Sequence, residues 1–411
     1  MKGKTVFVFG AGSTAELNIP LSEGHVKIFA EAADKNELLG KLYSIVSKKF
    51  ANKNYNINDV FNLIDTALQL QIGLSIGEDK IEYLDLLRAK SELIACILNK
   101  FTSIIQKTDY GVYRKYVDFY YKLAKAELNA KINGGLKTDD KRFFISDYSI
   151  VNFNWDLYSL FPVIEAHAKL NRENGCYFLN GKLPKLRMYT DFNYECASPL
   201  SDGMPWYPFT EPAAHIVNGD KYDATRRVVL TKTYFPHGLM NSFKCPKCAR
   251  HSLFLGDLKL KSVYGRLNYS SETPLYNCVY CGAKISAKNF NVLTQSNFKT
   301  RNAFLEETRI KMFCELESAE RLVFIGYSMP EDDVDYKTFF KSLYNVKEVF
   351  VVLKDDNELC DFKEVTDSDS LIRCAENTES VLRRYVSVFK KVYVNTCGFP
   401  TAADDILSKV L

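Results

Sequence analysis

Absences narrow this chain first. Nowhere in its 411 residues is there a run of about 20 apolar residues, the length a membrane-spanning helix needs. The N-terminus carries Lys2 and Lys4, but its apolar run stops at Gly10, so it reads as a buried first strand rather than a secretory signal or an anchor. A soluble, cytoplasmic protein is expected. Excess charge is missing too: 54 Lys and Arg against 50 Asp and Glu leave a net +4, spread along the chain. Charge alone therefore does not indicate the footprint of a nucleic-acid binder. The small clusters Lys259 with Lys261, and Lys390 with Lys391, read as solvated faces. No internal repeat and no low-complexity linker is found. Histidine is scarce, with five residues, His25, His167, His215, His237 and His251.

Cysteine is present, but for the most part without pairing spacing. Eleven is an odd number. Cys96, Cys314 and Cys374 lie in helix-like segments, where a free thiol behaves as a small hydrophobe. A disulfide framework is not expected, and a reducing cytosol fits. What remains is an ordinary globular composition, 46% hydrophobic and 25% charged. At this length it suits a large α/β core carrying one or two insertions.

Thr5–Phe9 (TVFVF) is apolar on both faces, as the central strand of a parallel sheet would be. Gly10–Gly12 turns it, and Ser22–Ala33 follows as a helix. From Asn36 to about Lys131 the spacing is helical: Leu84, Leu87, Ile94, Ile97, Leu98 and Phe101 recur on one face, as do Tyr116, Phe119, Tyr120 and Leu123. This predicts an all-helical insertion whose plain role is packing and self-association. Sheet character returns at Arg142–Phe153, with a bend or bulge around Asp147, and at Arg226–Tyr234. The C-terminal third alternates strands at Arg321–Ile325, Glu348–Leu353 and Lys391–Val394 with helices at Thr300–Ser318, Asp335–Tyr344 and Thr378–Ser387, the pattern of βαβ units on a parallel sheet. The expected class is α/β, a Rossmann-like parallel sheet with a large helical insertion and a small four-cysteine zinc ribbon. Its parts are 1–34, 136–239 and 291–411 for the core, 35–135 for the insertion and 240–290 for the ribbon.

Five motifs carry chemistry. Gly10-Ala11-Gly12-Ser13-Thr14-Ala15 fits G-x-G-x-x-(G/A) after a strand, where glycines let backbone approach a pyrophosphate. A tight turn that binds nothing stays open. The acidic residue a dehydrogenase needs would be Glu31, which sits in a helical stretch, so that reading fails. Asn154 and Asp156 follow a strand and alternate around Trp155, either lining the crevice at the strand's carboxyl end or capping a helix. His237, in Pro236-His237-Gly238, is either a proton-transfer group or a structural histidine. Cys245-Pro-Lys-Cys248 and Cys278-Val-Tyr-Cys281 are two C-x-x-C knuckles that fill a tetrahedral zinc shell, leaving no open position and implying a structural metal. Gly326-Tyr327-Ser328 follows a strand and offers amides to phosphate or ribose, while Asp332 or Asp333 would cap the next helix. Trp206, Tyr207 and Phe209 are candidates for the pocket mouth or for plain packing.

In this order the motifs resemble the sirtuin superfamily. The resemblance implies that Gly10, Ala11, Gly12 and Ser13 embrace the NAD pyrophosphate. It makes Asn154 and Asp156 the family's Asn-x-Asp at the nicotinamide ribose and carboxamide, and His237 the base. Gly326 and Ser328 would lie at the adenosine half, with Lys354 to Asn357 at the adenine ribose. Two departures stand out. Ile19-Pro20-Leu21-Ser22-Glu23 replaces the Ile-Pro-Asp-Phe-Arg of the deacylases, and residues 282–300 hold no Phe-Gly-Glu clamp. The helical block is more similar to that of sirtuin-like NAD hydrolases of bacterial anti-phage defence, echoed by Asn56-Ile57-Asn58-Asp59-Val60-Phe61, with Asn58 in place of an acidic residue.

These resemblances imply NAD hydrolysis, with NAD as substrate and Zn2+ as a structural ion. Asn154 would orient water and ribose, with His237 as base. Protein deacylation and a non-catalytic NAD or ADP-ribose sensor are the alternatives. Because Leu411 comes soon after the last expected strand, no sensor domain is expected in the chain. Regulation in trans or by assembly is expected instead, through a homo-oligomer or a HerA-type hexameric ATPase.

Overall fold

In a computed structural model of the protein, the residues described are 3–51, 53–133, 144–173, 178–179, 182–194, 210–211, 214, 226–292, 303–331, 333–366 and 377–411. The strands are β1 (Thr5–Phe9), β2 (Leu74–Ile76), β3 (Asp79–Ile81), β4 (Ile145–Asn152), β5 (Phe178–Leu179), β6 (Lys182–Asp191), β7 (Arg226–Tyr234), β8 (Gly238–Lys244), β9 (His251–Leu253), β10 (Pro274–Asn277), β11 (Lys284–Ser286), β12 (Phe290–Val292), β13 (Arg321–Ile325), β14 (Glu348–Val352), β15 (Lys363–Val365) and β16 (Val392–Asn395). The α-helices are α1 (Ser22–Ala33), α2 (Glu37–Lys49), α3 (Ile57–Gln69), α4 (Tyr83–Gln106), α5 (Tyr110–Asn133), α6 (Phe161–Arg172), α7 (Leu260–Arg266), α8 (Ala303–Glu317), α9 (Val334–Ser342), α10 (Glu379–Phe389) and α11 (Ala403–Val410).

The core is a nine-stranded sheet in the order β15-β16-β14-β13-β1-β4-β7-β6-β5. β1 is buried along its whole length, which its unbroken β-branched and aromatic sequence allows, and it pairs in parallel with β13 on one side and β4 on the other. Only the margins reverse: β15 and β5 run antiparallel to their neighbours. The chain crosses from β1 to β4 on one flank and later returns to β13 on the other. The carboxyl end of β1 is therefore a switch point, where neighbouring loops part and leave a crevice. The irregularity expected at Asp147 is present as a register shift between Ile145 and Ser149. Glu127 accepts from the Asp147 amide at 2.9 Å, and Lys131 donates to the Ile145 carbonyl at 2.9 Å, so α5 grips that bulge.

The insertion is helical apart from the β2–β3 hairpin, a departure from the all-helical expectation that three-residue strands are too short to signal by periodicity. Asn56 caps α3 in a reciprocal box with Asp59, which assigns those two residues to helix initiation. On α4 the expected stripe is buried from Ile94 to Phe101, but Leu84 and Leu87 are exposed. The α5 face docks on the sheet edge-on, Phe7 against Phe119 at 5.9 Å and Phe9 near Tyr120 at 6.0 Å.

Other expectations shift. Helices expected at Thr300–Ser318, Asp335–Tyr344 and Thr378–Ser387 run over Ala303–Glu317, Val334–Ser342 and Glu379–Phe389, and α11 follows the last strand. Cys360 and Cys397 form a disulfide, with Cα atoms 5.3 Å apart. The fold brings together two loop ends 37 residues apart in sequence, against the expectation of unpaired thiols, although a single bond is not a framework. Cys314 is exposed rather than buried like a small hydrophobe. Cys374, His215, Asp332, Trp206, Tyr207 and Phe209 lie outside the described residues. Among the described residues no helix is long and apolar enough to cross a membrane.

Candidate functional site

Three loops meet at the carboxyl ends of β1, β4 and β13. Gly10 N–H donates to the Ile325 carbonyl at 3.0 Å and Gly12 N–H to the Gly326 carbonyl at 2.8 Å. The first and third loops therefore cross backbone on backbone. A Cβ on Gly10 would lie 2.5 Å from Tyr327 Cα, and one on Gly326 would lie 2.0 Å from the Ser13 nitrogen. Gly326 also sits at φ 61°, the left-handed region that side chains avoid. This crossing accounts for the glycines at positions 10 and 326 without any ligand. Around Ser328 the backbone is held from outside, its carbonyl accepting from Arg384 at 3.2 Å. Asp333 stands at the N-cap position of α9 without a side-chain capping hydrogen bond; its carboxylate accepts from the Tyr327 hydroxyl at 2.7 Å and steadies the third loop.

The Asn-x-Asp residues belong to the second loop. Asn152 Oδ1 accepts the Asn154 amide at 3.0 Å, and Asn154 Nδ2 donates to the Gly10 carbonyl at 3.0 Å and to Ser13 Oγ at 3.2 Å. Asp156 Oδ1 accepts from Tyr158 N–H at 2.9 Å, while Oδ2 accepts from Thr14 Oγ1 at 3.3 Å. Asp156 is buried, which pushes its carboxyl up to about 6 against the relief those hydrogen bonds supply. Neither residue caps a helix. They tie the β4 loop to the glycine loop.

Two contacts brace this loop from behind. Met240 N–H donates to the Trp155 carbonyl at 3.0 Å, and Leu157 N–H donates to the buried Tyr264 hydroxyl at 3.1 Å. Met240 is on β8 and Tyr264 on α7, so the cysteine-bearing segment holds the site in place.

A cavity of about 80 Å³ opens beside the loop, lined by Ala11, Thr14, Ile19, Pro20 and His25, by Ile57, Asn58 and Phe61 of α3, by Phe101 of α4, and by Phe153 to Asp156. Trp155 lines the cavity together with Asn154 and Asp156. The insertion supplies an entire wall. A larger cleft of about 1010 Å³ between α5, α6 and α7 holds none of the motif residues.

The structure brings Ala11, Asn154 and Asp156 to the cavity; Gly12, Ser328 and His237 do not line it. His237 is fully buried, Nδ1 3.2 Å from the Phe153 carbonyl, its ring 5.1 Å from Phe153 and 5.8 Å from Tyr336. Phe153 thus touches the histidine and also walls the cavity. Of the other described histidines, His167 is a core residue facing Thr190 at 3.0 Å and His251 stacks on Phe304. His25 was not distinguishable in sequence from these. Only the fold carries it to the cavity.

Cys245, Cys248, Cys278 and Cys281 converge, their sulfurs within 4.8 Å of one another. Cys245 to Cys281 is 3.5 Å and Cys248 to Cys278 is 3.7 Å. Tetrahedral zinc with bonds of about 2.3 Å separates its sulfurs by roughly 3.8 Å, so the cage fits zinc. The two knuckles are built alike. Ala249 and Gly282, each just past the second cysteine, have φ 60° and 71° and donate to the carbonyls of Cys245 and Cys278 at 3.0 and 2.8 Å. Cys245 and Cys278 in turn donate to Arg250 and Ala283, each at 2.8 Å. These four thiols would hold the metal with no coordination position left for chemistry.

The chain is similar to solved Sir2 structures. One, described as a Sir2 homolog–NAD complex, has a TM-score of 0.36 at 10% identity over 99% of this chain and 89% of that one. A second, described under the structural basis for the mechanism and regulation of Sir2 enzymes, has a TM-score of 0.35 at 13% identity over 99% and 94%. Superpositions this loose fix no residue-to-residue correspondence. No family model matches the chain, and no curated protein matches it.

Proposed function

We propose that the chain is a sirtuin-like NAD hydrolase that cleaves the bond between nicotinamide and ribose. The observation that carries this reading is the small, mostly apolar cavity at the β1 switch point, closed on one side by α3 and α4. Its volume of about 80 Å³ is well below the roughly 300–1,000 Å³ that holds a whole drug-sized ligand, so it suits one flat ring. The rest of the dinucleotide would lie along the crevice above β1 and β13. The missing Asp-Phe-Arg and Phe-Gly-Glu segments favour water over a peptide carbonyl as nucleophile.

In the reaction, the bond from C1′ to the pyridine nitrogen breaks and nicotinamide leaves with the electron pair. A water oxygen bonds to C1′ and gives up one proton, yielding ADP-ribose. Asn154, fixed between the two loops, would orient ribose and water. Asp156, ionised above about pH 6, would stabilise the positive charge spread over ribose and ring before the bond breaks. His237 is the candidate base. Its ring packs on Phe153, which lines the cavity.

Such an activity needs a switch. We place it in trans, in a homo-oligomer or a HerA-type hexameric ATPase of an anti-phage system, on the resemblance of the helical insertion alone. Protein deacylation is the second reading, favoured by the four-cysteine cage. Chromatography of products from NAD, with and without acyl-peptide and partner, separates the two. Nicotinamide and ADP-ribose without peptide are expected, and Asn154→Ala and His237→Ala should each abolish their release while leaving folding and zinc content intact. Cleavage retained in both variants would overturn the assignment, and NAD binding without turnover would leave a sensor.

A further inference from the structure

We propose that Tyr116, carried on α5 of the insertion, is a positioning residue for the cleavage step, acting through Ser13 on the Asn154 amide. The inference rests on the reading above, in which Asn154 orients ribose and water. Helical spacing puts Tyr116 on the packed face of α5, and packing accounts for its ring, which stands 5.0 Å from Phe399 and 6.0 Å from Tyr158. Packing does not account for its hydroxyl. Tyr116 is buried and does not line the cavity, and that hydroxyl donates to the Ser13 carbonyl at 2.7 Å. Burial pushes the phenol pKa well above its usual range, so the group stays a donor.

Asn154 depends on Ser13 twice over. Its Nδ2 has two acceptors, Ser13 Oγ at 3.2 Å and the Gly10 carbonyl at 3.0 Å. That carbonyl also accepts from Ser13 N–H at 2.9 Å. Ser13 therefore holds Asn154 directly through its hydroxyl and indirectly through Gly10, and these bonds fix which way round the amide stands in the cavity wall. The third polar group of Ser13, its carbonyl, is the one Tyr116 holds. On the far side the Ser13 nitrogen lies so near Gly326 that a Cβ there would come within 2.0 Å. Ser13 is thus pinned between the third loop and α5. Removing the Tyr116 hydroxyl frees the Ser13 carbonyl to turn, and the N–H and Oγ of the same residue turn with it. A displaced orienting group slows bond breaking without weakening contacts made elsewhere along the ligand.

The test is steady-state nicotinamide release from NAD by the full chain, with amide exchange followed by mass spectrometry and ADP-ribose affinity by calorimetry. Tyr116→Phe keeps the ring and its aromatic contacts. Its kcat should fall at least about 5-fold, while KM and ADP-ribose affinity stay within about 3-fold of wild type, and exchange should quicken over residues 10–17. Ser13→Ala removes the Oγ acceptor and should lower kcat too. The double variant should lose less than the product of the two single losses, because they share one path. A residue that only packs would lower the urea midpoint and leave kcat alone. Should Tyr116→Phe fail to fold, by circular dichroism and zinc content, Ser13→Ala decides, and wild-type kcat in that variant overturns the inference. Wild-type kcat in Tyr116→Phe, or full additivity of the two changes, does the same. If any of these occurs while wild type cleaves NAD, only the role of Tyr116 falls. If wild type releases no nicotinamide from NAD, the hydrolase reading falls and takes this role with it.

Discussion

Gly326→Ala is the most informative single change. The substituted Cβ would stand 2.0 Å from the Ser13 nitrogen, 2.2 Å from Gly12 C and 2.8 Å from Gly12 Cα, with φ held at +61°. All three neighbours are backbone, so no rotamer can relieve the contact, and the loops must separate by about an ångström to reach ordinary packing distance. Overpacking of this kind costs about 1–3 kcal/mol, and the left-handed backbone adds about 1–2 kcal/mol for a residue with a Cβ. The sum, about 2–5 kcal/mol, is a large share of a typical folding stability of about 5–15 kcal/mol. Urea unfolding followed by circular dichroism should show it as a lowered midpoint with an unchanged slope. Separation should also break the Gly12 to Gly326 hydrogen bond and loosen the anchor of Asn154 on Gly10, so nicotinamide release should fall as well. A variant with wild-type stability that has lost only NAD binding would refute this reasoning. It would mean that Gly326 serves the ligand and not the loop crossing.

Three further changes test other parts of the account. Tyr264→Phe keeps the ring but removes the acceptor for Leu157 N–H, so stability should fall by about 1–3 kcal/mol; full activity and an unchanged urea midpoint would show that the brace is idle. Asp156 is raised from 3.8 to about 6 in the folded state, so its contribution favours folding below pH 4, is lost as pH rises towards 6, and amounts to about 3 kcal/mol at most. Asp156→Asn should flatten the stability profile over that window, and a profile that keeps its slope would place the titration elsewhere. Ala249→Gly relieves a φ of 60° and should raise stability by about 0.5–1 kcal/mol, read as slower loss of metal to a chelator; faster loss would contradict the matched-knuckle geometry.

Much of the fold is legible in sequence because its strongest signals are local. TVFVF declares a doubly covered strand in five letters, and two C-x-x-C pairs define a cage whatever lies between them. The bulge at Asp147 shows as a polar residue inside an apolar run. The site is less legible because its decisive relations span long sequence distances. That Gly326 serves to let Gly12 pass, that Tyr264 braces Leu157, and that His25 alone among the described histidines reaches the cavity are facts about residues with no local mark. Spacing also gives no hint of the contacts around Ser328 and Asp333, where the Ser328 carbonyl accepts from Arg384 and the Asp333 carboxylate from Tyr327.

The brace from Tyr264 also orders events in time. Leu157 meets its partner 107 residues later in the chain, on a segment whose four cysteines would close around a metal. A chain still leaving the ribosome can form β1, the insertion and β4, but it has nothing yet behind the Asn154 loop. Contacts of such long range form late. On the function proposed above, a chain that consumes its own cell's dinucleotide would be harmless through most of its synthesis, and with zinc in the cage the last step to competence would depend on the supply of that metal.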